Sequence, residues 1–240
     1  MAGQLVLSSH SPVSSVFQRW WNTQGEWVEP PNVRRDGESG VQLLQPRDRS
    51  RPALYCKRQV GHLYRSLRHP FGRPTVLREQ VALSAFERLG VRVPNRVYCG
   101  ASREGDRWQA LLVTEALQGF VSLDAWYRDG AQRQYGDAVH RQMLEQLGLT
   151  LSRVHRGRWQ HGCCYPKHIF IRPSDDGINV EIALLDLEKS RRRLRRSAAS
   201  RHDLRQLYRH RDEIPLTDLQ LFREAYDAAF ANGGEHGNGR

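Results

Sequence analysis

The sequence predicts an α+β chain in two lobes, a β-rich N-lobe with one helix and a mainly helical C-lobe. Three observations predict it. Short apolar runs separated by turn residues fill the region from Asn32 to Thr114. One segment of 3.6-residue period, Thr75 to Leu89, interrupts them. A longer periodic segment, Val139 to His155, then opens a second half that closes on further helical pattern. A chain of 240 residues is long enough for one core or for two small lobes.

The elements follow in order. Residues 1–26 read as an N-terminal extension. The stretch from Val13 to Glu29 carries Phe17, Trp20, Trp21 and Trp27 and is read as a packed strand or helix, the alternative being a membrane-interface segment. Residues 27–117 form the N-lobe. Two strand-like runs flank Asp36-Gly37, a hairpin dipeptide, and Leu54 to Val60 is a strand with Lys57 inside it. His69-Pro70 and Arg73-Pro74 read as loop. The helix that follows places Val76, Val81, Leu83, Ala85, Phe86 and Leu89 on one face, with Thr75 as N-cap and Gly90 as stop. Val93 to Tyr98 and Ala110 to Thr114 are strands, and Glu115 to Gly119 is a connector. Residues 118–231 form the C-lobe. There a helix begins at Ser122, the long helix ends at His155, and strands at His168–Arg172 and Val180–Leu187 flank the turn Asp175-Asp-Gly177. Ser200 to Ala231 reads as helix, and 232–240 as a Gly-rich disordered tail.

Composition narrows the class. The apolar fraction of 39% suits a soluble globular chain, and no apolar run approaches the roughly 20 residues that cross a bilayer. The first 12 residues lack the charge and apolar core of a secretory signal, and four irregularly spaced cysteines do not form a disulfide framework, so a reducing cytoplasm is expected. A net charge of +11 implies an anionic partner: nucleic acid, acidic lipid or a phosphorylated sugar. No aromatics interleave with the arginines, which weighs against nucleic acid. Among 37 basic residues only Lys57, Lys167 and Lys189 are lysine. In a chain where arginine is the default, a retained lysine marks a place suited to a compact ammonium, or a chance survivor.

Four features carry chemistry. Gly37-Glu-Ser-Gly40, at a hairpin tip, would let backbone N–H groups approach phosphate oxygens, or is simply a tight turn. Lys57 in an apolar strand calls for a carboxylate partner such as Glu79, unless the strand lies at an edge with Lys57 in solvent. Asp186 ends the apolar run Ile182-Ala-Leu-Leu and calls for a cation such as Mg²⁺, unless it caps a turn. The loop His161-Gly-Cys-Cys-Tyr-Pro-Lys-His168 lies between a long helix and a strand. The order of Gly-turn, strand lysine, helix glutamate, loop and strand-end aspartate is the order of parts that phosphoryl transfer needs.

With these residues the chain resembles the lipopolysaccharide kinases of the Kdo/WaaP group, most closely their InaA-like branch. The resemblance runs from about Trp27 to Asp203. It is carried by Asp36-Gly-Glu-Ser-Gly-Val41, the segment from Arg78-Glu79 to Gly90-Val-Arg-Val-Pro94, Gln160 to Phe170 and Leu185-Asp-Leu-Glu-Lys189. It implies a bilobal protein-kinase-like fold, ATP and Mg²⁺ as cofactors, and a sugar of the lipopolysaccharide inner core as acceptor. It also implies a cytoplasmic protein that works at the inner-membrane face. By position it makes Lys57 the phosphate-contacting lysine, Glu79 its partner, Gly37 and Gly40 the phosphate cover, and Glu115 and Leu117 the nucleotide-side connector. Asp186 and His168 become metal ligands, with His161, Cys163 and Lys167 in the catalytic loop. Asp203 corresponds to a helix aspartate that braces that loop.

One departure stands out. The family pattern puts the catalytic aspartate at position 163, where this chain has Cys163, and a neutral thiol is a poor orienting group. The sequence therefore supports either a slow kinase or a kinase-like protein that binds nucleotide without transfer and serves in stress response or envelope regulation. Two rival uses of the loop are weaker. Zinc held by His155, His161, Cys163, Cys164 and His168 lacks the usual ligand spacing, and a Cys/His nucleophile pair has no third member. The run Arg191 to Arg196 is either an anion-binding segment or a solvated charge run.

Overall fold

A computed structural model describes residues 12–34, 37–46, 48, 50–67, 69–174 and 179–232. Asp36, the turn Asp175-Asp-Gly177 and the tail beyond Asn232 lie outside the described residues. The chain divides into two compact units, Met1–Leu77 with Arg96–Ala116, and Arg78–Asn95 with Leu117–Arg240.

The first unit is built on helix α1 (Pro12–Asn22) and strands β1 (Glu26–Arg34), β2 (Gly37–Leu44), β3 (Leu54–Val60), β4 (Leu63–Ser66) and β5 (His69–Pro74). The first three residues of α2 (Thr75–Arg88), then β6 (Arg96–Glu104) and β7 (Arg107–Glu115), complete it. Five strands form an antiparallel sheet in the order β1-β2-β3-β7-β6, so β3 is central. Period-two alternation in β3 sends Leu54 and Cys56 to one face. There, with Leu44, Leu111 and Val113, they pack against Phe17, Trp20 and Trp21 of α1. The aromatic N-terminal stretch is thus a helix covering a sheet face. Each large side chain buried there is worth about 1.5–3 kcal/mol. The Arg58 guanidinium lies 4.6 Å from the Trp21 ring and donates to the carbonyl oxygens of Trp21 and Thr23. It ties the end of α1 to the sheet.

Three local expectations are corrected here. The loop expected around the two prolines is the two-stranded ribbon β4–β5, with a register shift between Tyr64 and Ser66. A ribbon has open edges, where a residue without an N–H costs no ladder bond. Thr75 stands in the first turn of α2 rather than before it. The cap comes from β3 instead: Gln59 Oε1 accepts the Val76 N–H at 3.2 Å and the Thr75 hydroxyl at 2.9 Å. Val81, placed on the apolar face, is 54% exposed, while Ala82 takes its place in the interior.

The second unit begins within α2. After Gly90, which ends the helix with φ +68°, Arg92 bridges to Ala183 and its carbonyl accepts the Leu184 N–H at 3.0 Å. Arg153 also donates to the Gly90 carbonyl, and the Phe86 ring meets Trp159 and His161 edge-on, so residues 78–95 belong with this unit. The remaining elements are β8 (Val121–Ser122), α3 (Leu123–Arg128), α4 (Ala131–Tyr135), α5 (Asp137–Arg156), β9 (Trp159–Gln160), β10 (Ile169–Pro173), β11 (Val180–Leu184), β12 (Arg191–Arg192), α6 (Arg196–Arg209) and α7 (Leu216–Ala231). Helix α5 forms the centre. Its buried Val139, Met143, Leu144, Leu147, Leu151 and Val154 make the stripe read from the sequence, and α7 packs along it. A buried to half-buried polar cluster in this interior is paired. Trp126 donates to His140 Nδ1 at 3.0 Å, and Asp218 accepts from His140 Nε2 and from the Tyr127 hydroxyl, each at 2.8 Å. The helical stretch expected over Ser200–Ala231 is two helices: α6 ends at Arg209 with His210 as its C-cap, and α7 starts after its N-cap Pro215. Among the described residues no helix is long and apolar enough to cross a membrane.

Candidate active site

In the second unit a loop runs from β9 to β10 through a one-turn 3₁₀ helix, Pro166–His168. Asp203 on α6 holds it. This carboxylate is fully buried and accepts the His161 N–H at 2.6 Å and the Gly162 N–H at 2.9 Å. His155 Nε2 on α5 donates to it at 3.1 Å, and His202 Nδ1 lies at the same distance. Burial alone would raise the Asp203 pKa. The His155 hydrogen bond and charge, with the Gly162 N–H, outweigh it, so the group lies below the ordinary carboxylate value.

A second strap comes from the chain after β11. The Ser190 hydroxyl donates to the His161 carbonyl at 2.7 Å, and Arg191 and Arg192 pair with Gln160 and Trp159. Gly162 is required here. Its φ is +88°, and a Cβ would sit 2.5 Å from the Lys189 carbonyl oxygen.

This frame places the predicted loop residues. His161 is fully buried, and its Nδ1 accepts the Cys163 N–H at 3.2 Å. Burial lowers its pKa from 6.5 to about 4, against the pull of the Asp203 charge. It is therefore a neutral framework residue, not a group at an open catalytic surface as the sequence suggested. Cys163 is 2% exposed. Burial first, and then the Asp186 carboxylate, raise its pKa, although the Lys189 ammonium with its hydrogen bond pulls the other way. The thiol stays protonated, which removes the Cys/His nucleophile reading. Cys164 is buried and raised further. Lys167 is exposed on the 3₁₀ turn.

His168 and Asp186 come together. His168 Nδ1 donates to the Cys163 carbonyl at 2.9 Å, which leaves Nε2 as the lone-pair nitrogen of the neutral ring. That Nε2 lies 3.7 Å from Asp186 Oδ2. Asp186 has left-handed backbone, φ 57° and ψ 61°, just past the end of β11. A non-glycine residue held there costs of order 1–3 kcal/mol, and such strain concentrates at functional positions. The two side chains give one carboxylate oxygen and one imidazole nitrogen. Among the described residues no group of three His, Cys, Asp or Glu forms a metal site. A divalent cation held by this pair would take its other ligands from water and phosphate oxygens, as magnesium does in nucleotide sites. The residues present fit that ion.

Lys57 lies half-buried on the central strand β3, not on an edge strand, with Val41 and Leu112 as its cross-strand neighbours. It faces away from α1. Gly37 opens β2, pairing with Arg34 at the end of the β1–β2 hairpin, and Gly40 lies further along the strand. A Cβ on Gly40 would meet the Trp27 ring at 2.7 Å, and one on Gly37 the backbone of Gly61 and His62 at 2.6 Å, so close packing already requires both glycines. Glu115 ends β7 opposite Leu54, and Leu117 begins the second unit's share of the connector. Glu79 is 7% exposed on α2, in the second unit. The sequence gives no sign of Ser190, and it marks Lys189 as a rare lysine that ends one of the stretches carrying the resemblance. Their roles depend on the strap, for which nothing in the local pattern speaks.

The burial of His161 can be read out in solution. Between about pH 6.5 and 4 an unfolded His161 binds a proton that the folded one refuses. Stability therefore rises with pH across that window and is lost as pH falls through it, on the order of 3 kcal/mol for this group. Urea unfolding at pH 7, 5.5 and 4.5 should show that loss, and His161→Asn, which keeps an acceptor for the Cys163 N–H, should flatten it.

Fold and site together define a protein-kinase-like chain. The model of the lipopolysaccharide kinase (Kdo/WaaP) family matches residues 18–226, and the chain belongs to that family. It is 45% identical over 212 residues to Protein InaA of Escherichia coli (strain K12), which covers 88% of this chain and 95% of that protein. A solved structure of WaaP in complex with acyl carrier protein is similar with a TM-score of 0.67 and 20% identity, over 89% of this chain and 82% of that one. That likeness speaks for the fold.

Proposed function

We propose that this protein is an ATP-dependent phosphotransferase acting on a sugar of the lipopolysaccharide inner core, working in the cytoplasm at the inner-membrane surface. The observation that carries the reading is the pairing of Asp186 Oδ2 with His168 Nε2 at 3.7 Å, on a loop braced by a buried aspartate. In this reading Asp186 and His168 would hold Mg²⁺, which would supply positive charge to offset that of the ATP phosphates. Lys57, partnered by Glu79, neutralises the phosphates. Backbone N–H groups near Gly37 and Gly40 border them, and Glu115 and Leu117 border the base. Lys167, exposed on the 3₁₀ turn, meets the anionic acceptor. The sugar hydroxyl attacks the γ-phosphorus, the bond to the β-phosphate oxygen breaks, and ADP leaves. A protonated Cys163 does not take up the hydroxyl proton, so it passes to a phosphoryl oxygen or to water. Positioning and electrostatics then supply the rate.

The same thiol favours a second reading, nucleotide binding without transfer in stress response or envelope regulation. Transfer of labelled γ-phosphate from ATP to purified lipopolysaccharide core, measured for the wild type and for Cys163→Asp, separates them. Label on the sugar in either protein supports the phosphotransferase. ATP hydrolysis that rises in Cys163→Asp with no label on any core sugar supports the second reading.

A further inference from the structure

Outside the loop, one groove gathers charge that the proposed phosphotransfer does not use. Arg156 ends α5, and Arg158 follows it. Arg195 and Arg196 open α6, and Leu194 and Phe230 supply apolar walls. Together they border an open cavity of about 560 Å³. All of these residues belong to the second unit.

Three features set the groove apart from an ordinary basic surface. First, the charges oppose the helix they stand on. The N-terminus of a helix favours anions, yet α6 has arginine at its N-cap and first position, no acidic residue in its first turn and no side-chain cap. Second, three of these guanidiniums stand apart from carboxylates. Among the described residues none of Arg158, Arg195 and Arg196 meets a carboxylate, and the Arg196 guanidinium lies instead 5.6 Å from the Phe230 ring. Third, Arg158 is held in strained left-handed backbone at φ 62°. Its N–H donates to the His155 carbonyl at 2.9 Å and its carbonyl accepts the Arg193 N–H at 2.7 Å. Such strain persists only where the surroundings enforce it.

We infer that this groove is a phosphate-binding site, separate from the nucleotide. A phosphate group seated there meets guanidinium forks from α5, from the turn after it and from α6, and the open N–H groups of the first turn of α6. Leu194, 94% exposed, and Phe230 suit an apolar portion of the same ligand. A phosphate ester carrying a hydrocarbon or ring portion matches both parts. A phospholipid headgroup and a soluble phosphate compound share this chemistry.

The test uses the full chain with two probes, inorganic pyrophosphate by isothermal titration and vesicles of phosphatidylglycerol against phosphatidylcholine by co-sedimentation. Arg195→Ala/Arg196→Ala is expected to weaken binding about tenfold or more. The double variant Arg191→Ala/Arg192→Ala, which removes equal charge outside the groove, is expected to retain it. The Arg195→Ala/Arg196→Ala protein should also melt no lower than the wild type without ligand, since cations leave a helix N-terminus. Selective loss with phosphatidylglycerol vesicles alone assigns a lipid source, and selective loss with pyrophosphate alone a soluble one. Either supports the site. Absence of binding by both probes, or equal weakening in both double variants, overturns it.

Discussion

Replacing Cys163 with aspartate is expected to raise phosphoryl transfer from ATP by roughly 10²- to 10⁴-fold, the usual worth of a positioned acid–base group. The main chain around position 163 does not depend on the thiol. Its N–H donates to His161 Nδ1, and its carbonyl accepts from the Tyr165 N–H and from His168 Nδ1. The new carboxylate would inherit the Lys189 ammonium that now hydrogen-bonds the sulfur, which offsets repulsion from Asp186. A partnered carboxylate there stays ionised at neutral pH and can orient an incoming hydroxyl, which the protonated thiol cannot. The rise should be in kcat, because the nucleotide contacts are unchanged. Transfer equal to wild type, with Mg·ATP still bound, would leave position 163 without a role in positioning the acceptor.

Asp203→Ala is expected to have the largest effect on folding, a loss of about 3–5 kcal/mol. Two backbone N–H groups of the loop between β9 and β10 and the His155 ring donate to that buried carboxylate. Its removal leaves them in a dry interior, at about 1–3 kcal/mol each before relaxation. Asp203→Asn should recover part of the loss, since one amide oxygen still accepts. Equilibrium unfolding in urea measures both. A loss below about 1 kcal/mol for Asp203→Ala would mean that the loop is held by the Ser190 and Gln160 contacts alone.

The elements most legible in the sequence are those with local signals. The alternation of Leu54–Val60 and the stripe of Val139–His155 are intrinsic to each segment, and both elements form as read. Asp186 was legible because a carboxylate ending an apolar run calls for a partner. What escaped was contact at a distance. The His140 bond to Asp218 spans 78 positions and leaves no trace in local pattern, and the Asp203 brace on His161, 42 positions away, was expected only from the family resemblance. His161 looked catalytic because imidazole in a loop suits proton transfer. Its complete burial becomes visible only when α6 and the Ser190 strap close over it. The ribbon β4–β5 was hidden by its own prolines. The glycines at 37 and 40 read as a phosphate cover, yet Trp27 and the Gly61–His62 backbone need the same residue type. One observed residue served two explanations, and sequence could not separate them.

The proposed function requires that Asp186 and Lys57 each contribute to Mg·ATP binding. Titration calorimetry with Mg·ATP tests this most directly, in the wild type, Asp186→Ala and Lys57→Ala. Saturable binding in the wild type that falls at least about tenfold in each variant, the worth of one charge-assisted contact, is the predicted result. Undetectable binding in the wild type, or equal affinity in all three proteins, would contradict it.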